Sequence, residues 1–274
     1  MLNKKFSLVV SALLVFAAVA EEGPKLLRVR GGDVRVNFSV ARDMTPIDVY
    51  WQERPMMTGA IGSVLSYAEK NPGFVGLGRK HGSFKEKLER FTVKIDGKEV
   101  DWRTANSFNG KTAECERIIQ LRDLRLVYRL KLEGNRLTEE ISYTPAKDVK
   151  LQNLYHYHPW NKRFKEFVNV DHKNKLASGK FTLSKKILYH GGSVTFAICD
   201  PYSEDAAIVR YHRSCKDPQT RYIQDNWNGA VECFIECSNR RLSSGRTESF
   251  RIEMDFLEAK NAKAVLEQAQ KTAK

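Results

Sequence analysis

The stretch RLTEEISYTPAKDVKLQNLYHYHPW, Arg136–Trp160, decides the fold class. Apolar and polar residues alternate through RLTEEISYT, a proline-containing connection follows, and alternation resumes through VKLQNLYHYH. Side chains two residues apart share a face of an extended chain, so a period of two marks strands that bury one face. The same period runs through DVRVNFSV (33–40), RFTVKIDG (90–97), LRLVYRLKLEG (124–134), SVTFAICD (193–200), AAIVRYH (206–212) and SFRIEMDFL (249–257). EGN at 133–135 and DGK at 96–98 suit hairpin turns. These strands predict an all-β protein: one large antiparallel β-sandwich over residues 21–257, with no repeat or linker to divide it. Only EAKNAKAVLEQAQKTAK, 258–274, has Ala and Leu spaced by three and four, which predicts a short C-terminal helix.

The chain opens with MLNKKFSLVVSALLVFAAVAEEG. Two lysines, a short apolar run and an Ala-Val-Ala before Glu21 form the pattern of a secretory signal peptide over residues 1–20. The expected location is outside the cytoplasm, periplasmic or extracellular, with no transmembrane segment once the leader is cleaved. Removing Lys4 and Lys5 with it leaves 44 basic residues against 33 acidic ones, from 46 and 33 in the whole chain. In an exported protein such an excess points to an anionic polysaccharide or the cell envelope rather than to nucleic acid. The five cysteines, Cys115, Cys199, Cys215, Cys233 and Cys237, are odd in number, so at least one has no partner within the chain. No CxxC spacing marks a cysteine-built zinc site. The glycines of GFVGLGRKHG (73–82) do not have dinucleotide-binding spacing, and no cofactor is expected.

Unbroken alternation from Val149 puts Val149, Leu151, Asn153, Tyr155 and Tyr157 on one face of a strand. Lys150, Gln152, Leu154, His156 and His158 fall on the other, more polar face. Histidines at i and i+2 emerge on one side and are candidate metal ligands, but no third ligand is identifiable and no metal is assigned. Trp160, followed by Asn161, Lys162 and Arg163, suits a sugar, with the ring under C–H faces and polar groups on hydroxyls; the same ring also suits packing under a loop. Trp227 beside Asp225 and Asn226 is a second such convergence. In GAVECFIECSN (229–239), Glu232 and Glu236 flank Phe234 on one strand face.

Two segments carry a family resemblance. RLTEEISYTPAKDVKLQNLYHYHPW and FIECSNRRLSSGRTESFRIEMDF (234–256) resemble the galactose mutarotase-like supersandwich of aldose 1-epimerases and of domains of polysaccharide lyases and glycosidases. The likeness spans roughly residues 113–257. It implies Glu236 as general base, with Glu232 the alternative one pleat away, and Asn153 as a substrate contact. Leu154 stands where that family has a histidine, so His156 or His158 is the implied replacement; His190 and His212 are candidates for its general acid. Ser243–Arg246 departs from the family's Pro-Gly-Glu. The implied activity is acid/base chemistry on a saccharide, epimerase-like or lyase-like. In a lyase-like reaction Lys150, Lys162, Arg163 and Arg210 would neutralise a uronate. The alternative is a non-catalytic carbohydrate-binding or envelope-associated β-sandwich.

Overall fold

The computed structural model describes residues 26–67, 75–77, 86–182, 184, 186–213, 220–227 and 230–272; for 67, 75, 213, 220–222, 224–227, 230–240 and 268–272 it describes the backbone alone. Residues 1–25, half of the glycine-rich 57–84 segment and Cys215 lie outside the described residues, as do the side chains of Trp227, Glu232, Cys233, Glu236 and Cys237.

Among the described residues, twenty-one strands and one α-helix follow one another. The first third holds β1 (Leu26–Gly31), β2 (Val34–Ser39), β3 (Thr45–Trp51), β4 (Arg54–Thr58), β5 (Gly62–Tyr67), β6 (Val75–Gly76), β7 (Lys87–Ile95) and β8 (Lys98–Val100). The middle holds β9 (Ser107–Gly110), β10 (Thr112–Leu121), β11 (Leu124–Glu133), β12 (Arg136–Pro145), β13 (Val149–Asn161), β14 (Glu166–Val170) and β15 (Leu176–Lys180). The last third holds β16 (Ile187–Gly192), β17 (Thr195–Asp200), β18 (Asp205–Arg213), β19 (Thr220–Trp227), β20 (Ala230–Leu242), β21 (Glu248–Glu258) and α1 (Ala262–Thr272).

The strands form two sheets. One has eleven strands in the order β16-β19-β20-β13-β4-β3-β2-β1-β9, with β5 on β13 and β6 on β5. The other has ten, in the order β15-β14-β17-β18-β21-β12-β11-β10-β7-β8. Pairing is antiparallel throughout, apart from β1 with β9. The architecture is therefore the expected all-β sandwich with a short C-terminal helix. The expected turn at Asp96-Gly97 joins β7 to β8 through two residues that both have positive φ, 49° and 79°. That is a two-residue turn whose twist matches the flanking strands.

Alternating apolar residues meet between the sheets. Leu124, Leu126, Tyr128, Leu130 and Leu132 of β11 line up with Leu137, Ile141 and Tyr143 of β12, and with Ile252, Met254 and Phe256 of β21. Every second residue of β11 is exposed or half-buried, which is why the alternation was so regular. β17 is buried on both faces. Phe196 and Ile198 turn to the sandwich interior, while Ala197 and Cys199 turn to a second cluster with Ala262, Val265 and Leu266 of α1. The helix is thus a cover for the outer face of the ten-stranded sheet at the β14-β17-β18 end. Among the described residues Cys115 and Cys199 are both buried, free thiols. Burial pushes the Cys199 thiol up to about 12.

The strand with the two histidines departs from simple alternation. The pairing of β13 with β5 shifts by one residue between Leu151 and Asn153. A bulge of this kind puts an extra residue on one strand and reverses the phase beyond it. Val149 and Leu151 face the core before the bulge; Leu154, His156, His158 and Trp160 face it afterwards. The expectation that His156 and His158 share a polar face with Lys150 and Gln152 is therefore corrected: those two are exposed, and both histidines are in the core.

Candidate functional site

Four strands build a polar cluster inside the sandwich. β13 supplies His156 and His158, each 1% exposed, and β12 supplies Glu139, 0% exposed, from the opposite sheet. Glu139 Oε2 lies 2.9 Å from His156 Nε2 and 2.8 Å from His158 Nε2. Tyr128 of β11 donates its hydroxyl to Glu139 Oε1 at 2.6 Å. On the far side of the first imidazole, His156 Nδ1 is 3.2 Å from Ser63 Oγ, which is 2.6 Å from Tyr143 Oη. The rings pack as a box. The two imidazoles meet edge to face at 4.9 Å, Phe250 meets His156 edge to face at 5.6 Å, and Tyr143 stacks on Phe250.

The electrostatics follow from this geometry. Burial alone pushes the Glu139 carboxyl up, but the His158 and His156 imidazoles and their hydrogen bonds outweigh it and hold the group below the usual carboxylate range. Burial and the neighbouring Glu139 carboxylate raise the Tyr128 hydroxyl well above its ordinary value, so it stays a donor. An ionised Glu139 that accepts from both Nε2–H groups leaves His156 Nδ1 as an acceptor for Ser63, which in turn accepts from Tyr143.

Glu139, His156 and His158 are the group of metal-capable side chains found among the described residues, with ligand atoms all within 4.8 Å of one another. Glu139 stands beside the two histidines as the third metal-capable side chain, and it comes from the other sheet. Its signal was present in the strand: Leu137, Glu139, Ile141 and Tyr143 share one alternation phase, and a carboxylate in an otherwise apolar phase marks a buried acid.

The other sequence-selected residues fall elsewhere. Trp160 is 0% exposed, packed against Phe164 at 5.6 Å and Phe196 at 6.5 Å, and offers no face to a sugar. Arg163 is tied to Pro55 O (3.1 Å), to Ser203 Oγ (3.0 Å) and, in close contact, to the buried Asp205. Arg210 of β18 meets Asp255, which also accepts from Arg136 Nε at 2.6 Å. Burial opposes ionisation of Asp255, but its two arginine partners win and hold its carboxyl below the ordinary range. His190 is exposed on β16, and His212, also exposed, lies 3.5 Å from Glu253 on the ten-stranded sheet. Neither is near the buried pair in the pairing scheme.

The opposite face of β13 is different. Asn153, Tyr155 and Tyr157 are half-buried there, and Asn153 Nδ2 donates to Ser66 Oγ at 3.3 Å. The ladder sets Glu236 of β20 opposite Tyr155, with Ile235 opposite His156 and Cys233 opposite His158.

No protein-family model and no curated protein matches the sequence. Solved structures do. A protein provisionally assigned as an aldose 1-epimerase from Escherichia coli K12 superposes with a TM-score of 0.50 at 10% identity, covering 85% of this chain and 99% of that one. A galactose mutarotase-like protein from Clostridium acetobutylicum gives 0.52 at 9% identity, over 85% and 95%. The galactosidase domain of an alpha-galactosidase–sucrose kinase gives 0.53 at 6% identity; 86% of this chain spans 41% of that one. At such identities the likeness is one of fold, and the fold is the galactose mutarotase-like supersandwich that the two sequence segments resemble.

Proposed function

We propose that this protein is exported and binds carbohydrate, an acidic saccharide by preference, on the face of the eleven-stranded sheet that carries Asn153, Tyr155 and Tyr157. The observation that supports it most is the phase of β13 beyond its bulge. Two tyrosines and an amide stand at alternate positions on a face turned away from the core. Phenol rings give a sugar's C–H surface a platform with a polar edge, and an amide can pair with its hydroxyls. The fold shared with carbohydrate-active proteins adds support, as does the excess of 44 basic over 33 acidic residues left once Lys4 and Lys5 are removed from the 46 and 33 of the whole chain, which favours an anionic ligand.

Binding is favoured over histidine acid/base chemistry. A general acid or base must come within hydrogen-bond reach of the proton it moves, directly or through one water. His156 and His158 are sealed between the sheets and already engaged with Glu139. A catalytic reading survives on the tyrosine face. Glu236, opposite Tyr155 in the ladder, is the base that this reading needs.

Calorimetry with uronate and neutral oligosaccharides tests the proposal. The protein, secreted from its own leader and beginning at Glu21, is expected to bind uronate oligomers more tightly than neutral ones. Tyr155→Ala and Tyr157→Ala, each on an unchanged fold by circular dichroism, are expected to weaken binding about tenfold, roughly 1.4 kcal/mol. Heats absent with every saccharide, or affinities unmoved by either substitution, would count against the reading; a retained leader would count against export.

A further inference from the structure

We propose that Glu139, His156 and His158 bind a transition-metal ion of the zinc class, held between the two sheets. Three donor atoms converge there, Glu139 Oε2 and the two Nε2 atoms, with Oε2 at 2.9 and 2.8 Å from the nitrogens. Zinc ligands lie about 2.0–2.2 Å from the ion, which in a tetrahedral shell spaces donors roughly 3.3 Å apart. The carboxylate-to-imidazole edges need to open by a few tenths of an ångström, and the two imidazole nitrogens, within 4.8 Å of each other, would draw toward the same spacing by side-chain rotation.

Two of the atoms that do not converge are tied back by hydroxyls. Tyr128 holds Glu139 Oε1, and Ser63 with Tyr143 holds His156 Nδ1. Metal-ligating imidazoles regularly engage their second nitrogen in this way, and ligating carboxylates are hydrogen-bonded in turn. The hydroxyl relay can reverse without moving a heavy atom. With a metal on Nε2, His156 Nδ1 carries the proton and donates to Ser63, whose own proton turns to Tyr143.

Donor chemistry sets the metal class. Two imidazoles and one carboxylate suit zinc and its transition-metal neighbours, whereas magnesium and calcium prefer all-oxygen shells. A divalent ion would also compensate the negative charge of the buried Glu139 carboxylate. Because Glu139 comes from one sheet and the histidines from the other, the ion would join β12 to β13 across the sandwich. Side chains this buried take up a metal as the chain folds rather than through the closed sandwich.

The full chain, unfolded in denaturant with a chelator, is refolded with Zn²⁺, with Co²⁺, or without metal. We expect about one retained ion per chain, cobalt absorption of a low-coordinate site, hyperfine-shifted imidazole resonances, and a higher Tm with Zn²⁺ than without. Glu139→Gln keeps an acceptor for both imidazole N–H groups but is a poor ligand, and it is expected to fold and lose the ion. Folded wild-type protein that retains neither metal would overturn the site, as would a folded Glu139→Gln with unchanged metal content. Should Glu139→Gln not fold, the wild-type cobalt protein decides: imidazole resonances uphold the site, and a bound ion without them overturns it.

Discussion

Replacing Glu139 by alanine is expected to cost about 3–5 kcal/mol of folding stability, the range seen when one member of a buried charged network is removed. The carboxylate accepts from three donors, Tyr128 Oη, His156 Nε2 and His158 Nε2, and every one of them is buried. Alanine leaves those donors facing a cavity with no water to replace the lost oxygens, and each buried orphan is charged its full desolvation. Glu139→Gln isolates the hydrogen-bonding part. Its carbonyl can accept from both imidazoles while its amide meets the Tyr128 oxygen, so its loss should be about 1 kcal/mol. Urea unfolding with a constant m-value measures both. An alanine variant within about 1 kcal/mol of wild type, the size of an ordinary substitution, would mean that the two imidazoles do not depend on the carboxylate.

That network also shows what the sequence made legible. Half-buried strands expose every second residue, so β11, β12 and β21 were written plainly as alternation, as was the spacing by three and four in α1. The face of His156 and His158 was not, because a bulge is a property of pairing. The extra residue near Gln152 exists only relative to β5, some 85 positions earlier in the chain. In isolation the alternation from Val149 to His158 looks unbroken, and it led to the wrong side of the sheet. The even phase that links Leu154 to Trp160 was the available hint, since two large apolar residues bracket the histidines in it. Glu139 escaped notice for the complementary reason. Its oddness within β12 was readable, but its partners stand on a strand of the other sheet, and no local pattern states which strands of two sheets lie face to face. The pairing of Tyr155 with Glu236 is of the same kind: each residue was visible, but the ladder that joins them is long-range.

Trp160 is where the two interpretations of a tryptophan part most sharply. If its ring were a sugar platform, Trp160→Ala would abolish affinity and leave the fold intact. The structure predicts the reverse. The indole is completely buried, set edge to face on Phe164 and against Phe196 where β13 ends, in the interior that both sheets share. Deleting a ring of that size from a packed core costs about 3–5 kcal/mol, because the transfer free energy is lost and the neighbours collapse only partly into the space. Trp160→Phe sharpens the test. Phenylalanine leaves a smaller void, and it also removes the indole Nε1–H, which is buried without a hydrogen-bond partner among the described residues. Its cost should therefore be roughly half that of alanine. Saccharide affinity in Trp160→Phe, measured well below its melting temperature, should equal that of wild type, since the proposed binding face around Tyr155 and Tyr157 is on the other side of the strand. A Trp160→Phe protein of wild-type stability that no longer binds saccharide would reverse the assignment, and with it the phase of β13 on which the tyrosine face depends.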